Sequence, residues 1–199
     1  MLSVLIPTYN YNAFALVNEL HKQLLKSKVQ FEIICFDDGS KATLNQQNEK
    51  INALPFARFN ALKDNVGRSA IRNQLSEEAV YSWLLFLDSD VLPVSPLFIH
   101  NYLKEIQYKT GAVFCGGIRY LASDENKKLL RYKYGIKFEE INVDKRNKRP
   151  YKFFFTANFL ISKALFNKSR FEEKLTKYGR EDFLFSLTLK ANNFSVIHL

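Results

Sequence analysis

The first half of the chain alternates short apolar runs with amphipathic stretches. Residues 2–6, "LSVLI", are apolar and closed by Pro7, the pattern of a buried strand. Phe14, Val17, His21, Leu24 and Leu25 recur at helical spacing and predict an amphipathic helix over 12–27. "FEIICF" reads as a second strand, ended by "DDGS". "ATLNQQNEKIN" reads as a polar helix and "FARFNAL" as a third strand. From Ser69 to Tyr81 the pattern is helical again, with Ala70, Ile71, Leu75 and Ala79 facing inward, and "WLLFL" follows as a strand. Strands alternating with helices predict an α/β fold on a doubly wound, mostly parallel sheet with helices on both faces.

The second half is less regular. "SPLFIHNYLKEIQ" predicts a helix with Ser95 as cap and Pro96 in its first turn. "GAVFCGGI" predicts a strand, and "KFFFTANFLISKALF" an apolar strand turning into a short helix. "GREDFLFSLTLKA" predicts a helix whose acidic start suits the positive end of its dipole. Residues 126–152 are rich in Lys and Arg and weakly periodic, which reads as a solvated, partly mobile face. His21 and His100 fall on helix faces and are expected to pack. No repeat or linker divides the chain, so one domain of two lobes is expected, 1–93 and 94–199. "NNFSVIHL" reads as a strand at the chain's end, so the sequence is expected to be part of something longer.

Charge and cysteines narrow the setting. The formal charge of +9 suits an anionic ligand, a nucleic acid or an acidic membrane face, and carries no information on fold. Cys35 and Cys115 both lie in apolar segments, as buried free thiols of a reducing compartment would. "MLSVLIPTYN" lacks the basic region and long apolar stretch of a signal peptide, and no run reaches transmembrane length. The expected location is the cytoplasm, either free or at the inner face of the membrane.

The polar residues that follow the strands carry the candidate chemistry. Asp88 and Asp90 follow "WLLFL" with one serine between them. Two carboxylates this close repel unless a cation or hydrogen-bond donors compensate. Mg²⁺ or Mn²⁺, held by one or two carboxylates and phosphate oxygens, would do so; a solvated turn is the plainer alternative. Asp37 and Asp38 precede Gly39, where a carboxylate can accept from a nucleobase or ribose, or close an Asx turn. "DNVGRSAIRN" runs into a helix start that would attract an anion, with Gly67 allowing close approach and Arg72 adding a cation; a capped helix with a surface arginine fits the spacing too. In "YGREDF", Glu181 and Asp182 offer a general base or simple dipole compensation. Because "PTYN", "DDGS" and "DSD" all follow predicted strands, one sheet edge would gather them into one crevice.

The ordered set "SVLIPTYN", "EIICFDDGS", "NVGRSAIRN", "LLFLDSDVLP", "TANFLISKALF" and "GREDFLFSLTL" resembles the family 2 glycosyltransferases, which have the GT-A fold. The resemblance implies a nucleotide-sugar site in the first lobe and an acceptor site in the second. By position, Pro7, Thr8 and Tyr9 would line base and ribose, and Asp38 would bond the base, usually uracil. Gly67 and Arg72 would border the nucleotide, with Asp88 near the ribose. Asp90, with Asp88, would hold Mn²⁺ or Mg²⁺ on the donor diphosphate. Asn158 would fall near sugar or acceptor, and Asp182 would be the catalytic base, with Glu181 beside it. The implied partners are a UDP-sugar donor and a saccharide or lipid-linked acceptor; no nucleic acid is expected, and peripheral membrane association is left open by the basic charge. Many relatives carry a further metal-binding histidine; His198 could stand in for it, but it lies within the predicted strand, where a lone histidine is more often structural.

Three other readings are weighed against this one. A phosphatase of the haloacid dehalogenase type also uses Asp-x-Asp after a strand, but near the N-terminus and with Thr or Val where Leu92 stands here. A sugar-nucleotidyltransferase would need a glycine-rich N-terminal loop. A non-enzymatic basic module would bind nucleic acid or anionic membrane through 126–152.

Overall fold

The computed structural model describes residues 1–41, 43–108, 111–175 and 179–199. Ala42 of the expected polar helix and Tyr178 of "YGREDF" lie outside the described residues. In the first half, β1 (Leu2–Thr8), β2 (Phe31–Asp37), β3 (Ala57–Ala61) and β4 (Trp83–Leu87) alternate with α1 (Phe14–Ser27), α2 (Asn45–Asn48) and α3 (Arg68–Glu78). In the second half come α4 (Phe98–Tyr108), β5 (Ala112–Cys115), α5 (Leu130–Phe138), α6 (Val143–Lys148), β6 (Asn158–Ser162), α7 (Lys163–Ser169), α8 (Glu181–Ala191) and β7 (Ser195–His198).

The seven strands form one sheet in the order β3-β2-β1-β4-β6-β5-β7. β1 pairs in parallel with β2 and β4, while β6 runs antiparallel to both of its neighbours. Apolar residues alternate across the sheet and serve two cores. Val4, Ile6 and Ile33 face α1 and α4 through Leu20, Leu24 and Ile99. Leu5, Ile34 and Phe86 face α3, α7 and α8 through Leu75, Phe166 and Phe185. The second core is strongly aromatic: Phe86 stacks on Phe159 and Phe166, and Phe171 stacks on Phe185 at 4.2 Å between centroids. That cluster fixes the start of α8 against the middle of the sheet.

The chain leaves β1 toward β2 on one side and reaches β4 on the other, so β1 and β4 flank the topological switch point. β1 pairs with β4 only over Leu2–Leu5, but with β2 as far as Thr8. Pro7 therefore falls beyond the β4 ladder, where its missing N–H leaves no bond unmade on that side. The divergence of the two strands opens a crevice at their carboxyl ends.

Several expectations require correction. The polar helix shrinks to one α-helical turn followed by a 3₁₀ segment over Glu49–Ala53. α4 begins at Phe98 because Ser95 and Pro96 form the preceding turn, with the Ser95 hydroxyl accepting from the Leu97 N–H. Phe153–Phe155 are not strand, and β6 begins at Asn158. His100 is exposed, whereas His21 is buried with Nε2 bonded to the Pro55 carbonyl. Residues 126–152 are not simply a solvated face: they form a 3₁₀ turn, α5 and α6, and Arg146 is buried among backbone carbonyls. Its guanidinium donates to the carbonyls of Ile141, Cys115 and Leu199, so α6 clamps the carboxyl ends of β5 and β7.

Candidate active site

The crevice at the switch point holds a cavity of about 430 Å³. Pro7, Thr8 and Tyr9 supply one wall from the end of β1, with Asp38 beyond β2 beside them. Gly67, Arg68 and Arg72 of the α3 start form the second wall, and Asp88 and Asp90 after β4 the third. Glu181 closes the cavity from α8.

The two aspartates of "FDDGS" divide the roles left open by the sequence. Asp37 closes the turn, its carboxylate accepting from the Ser40 N–H at 2.7 Å, the Ser40 hydroxyl at 2.6 Å and the Asn45 amide at 3.0 Å. Asp38 turns to the cavity and accepts from the N–H groups of Val66 (2.7 Å) and Gly67 (3.1 Å). Burial raises its pKa against the lowering effect of those two N–H groups, and the Asp37 charge raises it further. Gly39 makes this docking possible: its φ is +72°, and a Cβ there would stand 2.6 Å from the Asn65 nitrogen.

Arg72 is buried rather than at the surface. It reaches Asp88 Oδ1 at 2.5 Å, donates to the Arg68 carbonyl at 2.9 Å, and lies 5.6 Å from the Phe171 ring centroid. Arg72 and Ser69 both line the cavity, and the Arg72 Nε and the Ser69 hydroxyl are buried without a hydrogen-bond partner among the described residues. The start of α3 has no side-chain cap and no acidic residue in its first turn. Unmet donors and a bare helix N-terminus make this wall a receptor for anionic oxygens.

The acidic groups separate by environment. Asp90 is exposed at the rim; partial burial and the neighbouring Asp88 raise its pKa, against Arg68 and Arg131. Glu181 is buried and pairs with Arg68 at 3.2 Å. Asp182 lies off the cavity lining, half-buried, and accepts a hydrogen bond from the Thr156 hydroxyl. Burial is the largest influence raising its pKa; Thr156 and Arg72 oppose it, while Glu181 and Asp88 add to it. Asn158 also lies off the cavity, its amide oxygen taken by the Tyr102 hydroxyl at 2.7 Å.

No trio of His, Cys, Asp or Glu among the described residues is arranged to hold a metal alone. One Asp88 oxygen is occupied by Arg72, leaving its other oxygen and the Asp90 carboxylate. Such a pair fits Mg²⁺ or Mn²⁺ only when phosphate oxygens and water complete the shell, as these ions commonly require. His198 is not a ligand. Its Nδ1 accepts from Arg146 at 2.9 Å, so Nε2 carries the proton donated to the Pro150 carbonyl. Burial first, then Arg146, lowers its pKa, which keeps the ring neutral.

Three cavity or support residues escape the sequence reading. Arg68 and Ser69 sit within "DNVGRSAIRN" but are indistinguishable by spacing from surface helix residues. Thr156 gives no signal at all, because only the fold brings it to Asp182.

Residues 3–170 match the family model described as glycosyl transferase family 2. A hyaluronan synthase of Pasteurella multocida is 26% identical over 94% of this chain and 22% of its own length. A chondroitin synthase of Escherichia coli is 25% identical over 94% of this chain and 32% of its own length. The chain thus spans a third or less of these curated relatives. Among solved structures, S. aureus TarS 1-349 in complex with UDP superposes on all of this chain and 57% of its own, with a TM-score of 0.68 at 22% identity. A complex of the same protein with UDP-GlcNAc gives a TM-score of 0.66 at 23% identity.

Proposed function

Because the chain belongs to glycosyl transferase family 2, we propose that its cleft binds a UDP-sugar and passes the sugar, with inversion, to a hydroxyl of a saccharide or lipid-linked acceptor. The gathering of Asp38, Arg72, Asp88 and Asp90 around one cavity at the switch point carries this reading. Names borne by similar proteins support it: hyaluronan and chondroitin synthases, and TarS in complex with UDP and UDP-GlcNAc. A haloacid-dehalogenase-type phosphatase does not fit the family match.

In this reading Asp38 accepts from the uracil N–H, and Pro7, Thr8 and Tyr9 line base and ribose. Gly67 leaves room for the backbone to approach the nucleotide. Ser69, Arg68, the Arg72 Nε and the α3 N-terminus face the diphosphate and stabilise the charge that grows on it as it leaves. A divalent cation held by Asp90, with the remaining Asp88 oxygen, would act there as a Lewis acid. Asp182, oriented by Thr156, takes the proton of the acceptor hydroxyl. Its raised pKa brings it nearer the operating pH, which strengthens it as a base. Glu181 holds Arg68 in place. Asn158, at the start of β6, fixes the wall on the acceptor side through Tyr102. An apolar hollow lined by Phe183, Leu184 and Leu187 shares Leu175 with the donor cavity and offers the acceptor its approach. The two buried free thiols support a cytoplasmic setting.

The test is a thermal-shift series with UDP, other nucleoside diphosphates, Mn²⁺ and Mg²⁺. Ligand at a hundredfold excess over its Kd stabilises by about 2.7 kcal/mol, a rise in Tm of roughly 5–11 °C for a chain of this size. UDP with Mn²⁺ is expected to reach this range. No shift with any nucleoside diphosphate, with or without metal, overturns the donor assignment.

A further inference from the structure

α5 is a helix with the wrong outside for water. Its inner side packs through Gly135, buried against the Tyr120 ring, and Tyr132, which meets the same ring edge-on; Arg131 pairs with Glu139 at 2.9 Å, and Ile136 is exposed at 42%. Its outer side carries Leu130, Lys133, Tyr134, Lys137 and Phe138, spaced i, i+3, i+4, i+7, i+8 on one face. All five are exposed, Leu130 at 82% and Phe138 at 48%. Tyr134 and Phe138 touch at 4.8 Å between ring centroids, and the Lys137 ammonium lies 5.2 Å from the Phe138 ring. Leu129, just before the helix, and Leu121, in the loop leading to it, are exposed too.

The charge around this face is as uneven as its hydrophobicity. Residues 119–152 hold eleven Lys and Arg against five Asp and Glu, six of the chain's nine net positive charges. Single exposed leucines need no explanation, but an aliphatic and aromatic face set among lysines does. Tyr134 and Phe138 are rings on which a base or sugar can stack, but the exposed Leu121, Leu129 and Leu130 beside them offer such ligands nothing to bond. They match acyl chains at an interface where lysines extend to anionic headgroups.

We infer that the outer face of α5 docks this domain on an anionic lipid bilayer, Leu130, Tyr134 and Phe138 entering the interface and Lys133 and Lys137 contacting headgroups. Docking stands independently of what the cavity binds.

The test is sedimentation of the 199-residue chain with vesicles of phosphatidylcholine alone, or of phosphatidylcholine with phosphatidylglycerol, at low and high salt. The chain is expected to pellet with the anionic vesicles at low salt. The Lys133→Gln/Lys137→Gln variant is expected to reduce partitioning about thirtyfold, the equivalent of about 1 kcal/mol for each lysine near an anionic surface. Leu130→Ser/Phe138→Ser is expected to reduce it about as much, with both variants keeping the parent's thermal melt. Failure to bind anionic vesicles, equal binding to neutral ones, or full binding by the Leu130/Phe138 variant each overturns the inference. So does dimerisation in vesicle-free buffer that this variant abolishes, since the face would then belong to a second copy of the chain.

Discussion

Replacing Arg72 with methionine removes a charged partner that Asp88 has at hydrogen-bond distance, while keeping most of the buried aliphatic bulk. Breaking a buried ion pair from one side costs about 3–5 kcal/mol, because the other charge stays behind unpaired. The Asp88 side chain is 30% exposed, so water recovers part of that loss. We expect Arg72→Met to cost about 2–3 kcal/mol. Asp88→Asn should cost more, about 3–4 kcal/mol, because the Arg72 side chain is only 4% exposed and guanidinium groups keep their charge in proteins. The double variant removes both charges at once and should fall well short of the sum, with a coupling of about 2 kcal/mol. For a chain of this length each kcal/mol is about 2–4 °C in Tm. Urea and thermal unfolding of the four proteins, without ligand, close the cycle. Additivity within about 0.5 kcal/mol would show that the pair contributes no coupling to the fold, and the account of Arg72 as the counter-charge of Asp88 would fail.

Two further predictions concern the carboxyl groups. Thr156→Val removes a donor that favours the ionised form of Asp182, so its pKa should rise further and the acid limb of the transfer rate should move to higher pH. Thr156→Ser should restore the parent profile, and Asp182→Asn should abolish transfer while keeping the UDP-induced Tm rise; an unmoved limb in Thr156→Val would remove Thr156 from this role. Asp90 has a raised pKa, so its folded form binds its proton more tightly than its unfolded form. The associated stability is present below the ordinary carboxylate pKa and is lost as pH rises through the raised one. Asp90→Asn should therefore raise Tm at neutral pH without metal, the gain should vanish in acid, and the Mn²⁺-dependent part of the UDP shift should disappear; a gain persisting unchanged in acid would contradict this origin.

The strands were legible because burial on both faces writes itself as continuous apolar runs, and β1, β2 and β4 all begin within a residue of where the pattern placed them. Direction was not: "NFLIS" carries the same apolar run whether it lies parallel or antiparallel, and only pairing with β4 shows that β6 is reversed. Part of the candidate site was legible: Pro7, Thr8, Tyr9, Asp38, Asp88 and Asp90 lie at or just after strand ends, which the sheet collects, whereas Gly67 and Arg72 reach the cavity from the start of α3 and Asn158 and Asp182 lie off it. Burial of single charged residues was not legible. Arg72 and Arg146 look like any helix arginine, and each is drawn inward by partners distant in sequence: Asp88 in the first case, the carbonyls of Cys115 and Leu199 in the second. The Arg146 clamp also explains why 126–152 misread. A cation satisfied by carbonyls and an imidazole nitrogen leaves no acidic counterpart to find in the pattern.

Why two aspartates stand so close after β4 has an answer that the motif alone obscures. If one ion neutralised both, the pair would be symmetric; the geometry makes them unequal. Asp88 is already compensated by a cation built into α3, and that pairing also pulls α3 toward β4 and so shapes the cavity. Asp90 sits at the rim with a like charge as its neighbour and part of its hydration lost. The repulsion is therefore concentrated on one group at the mouth, where an arriving diphosphate would bring both its own negative charge and the means to hold a cation. On the proposed donor assignment, such a site should bind metal weakly when empty and more strongly with donor present, each raising the affinity for the other by the same factor.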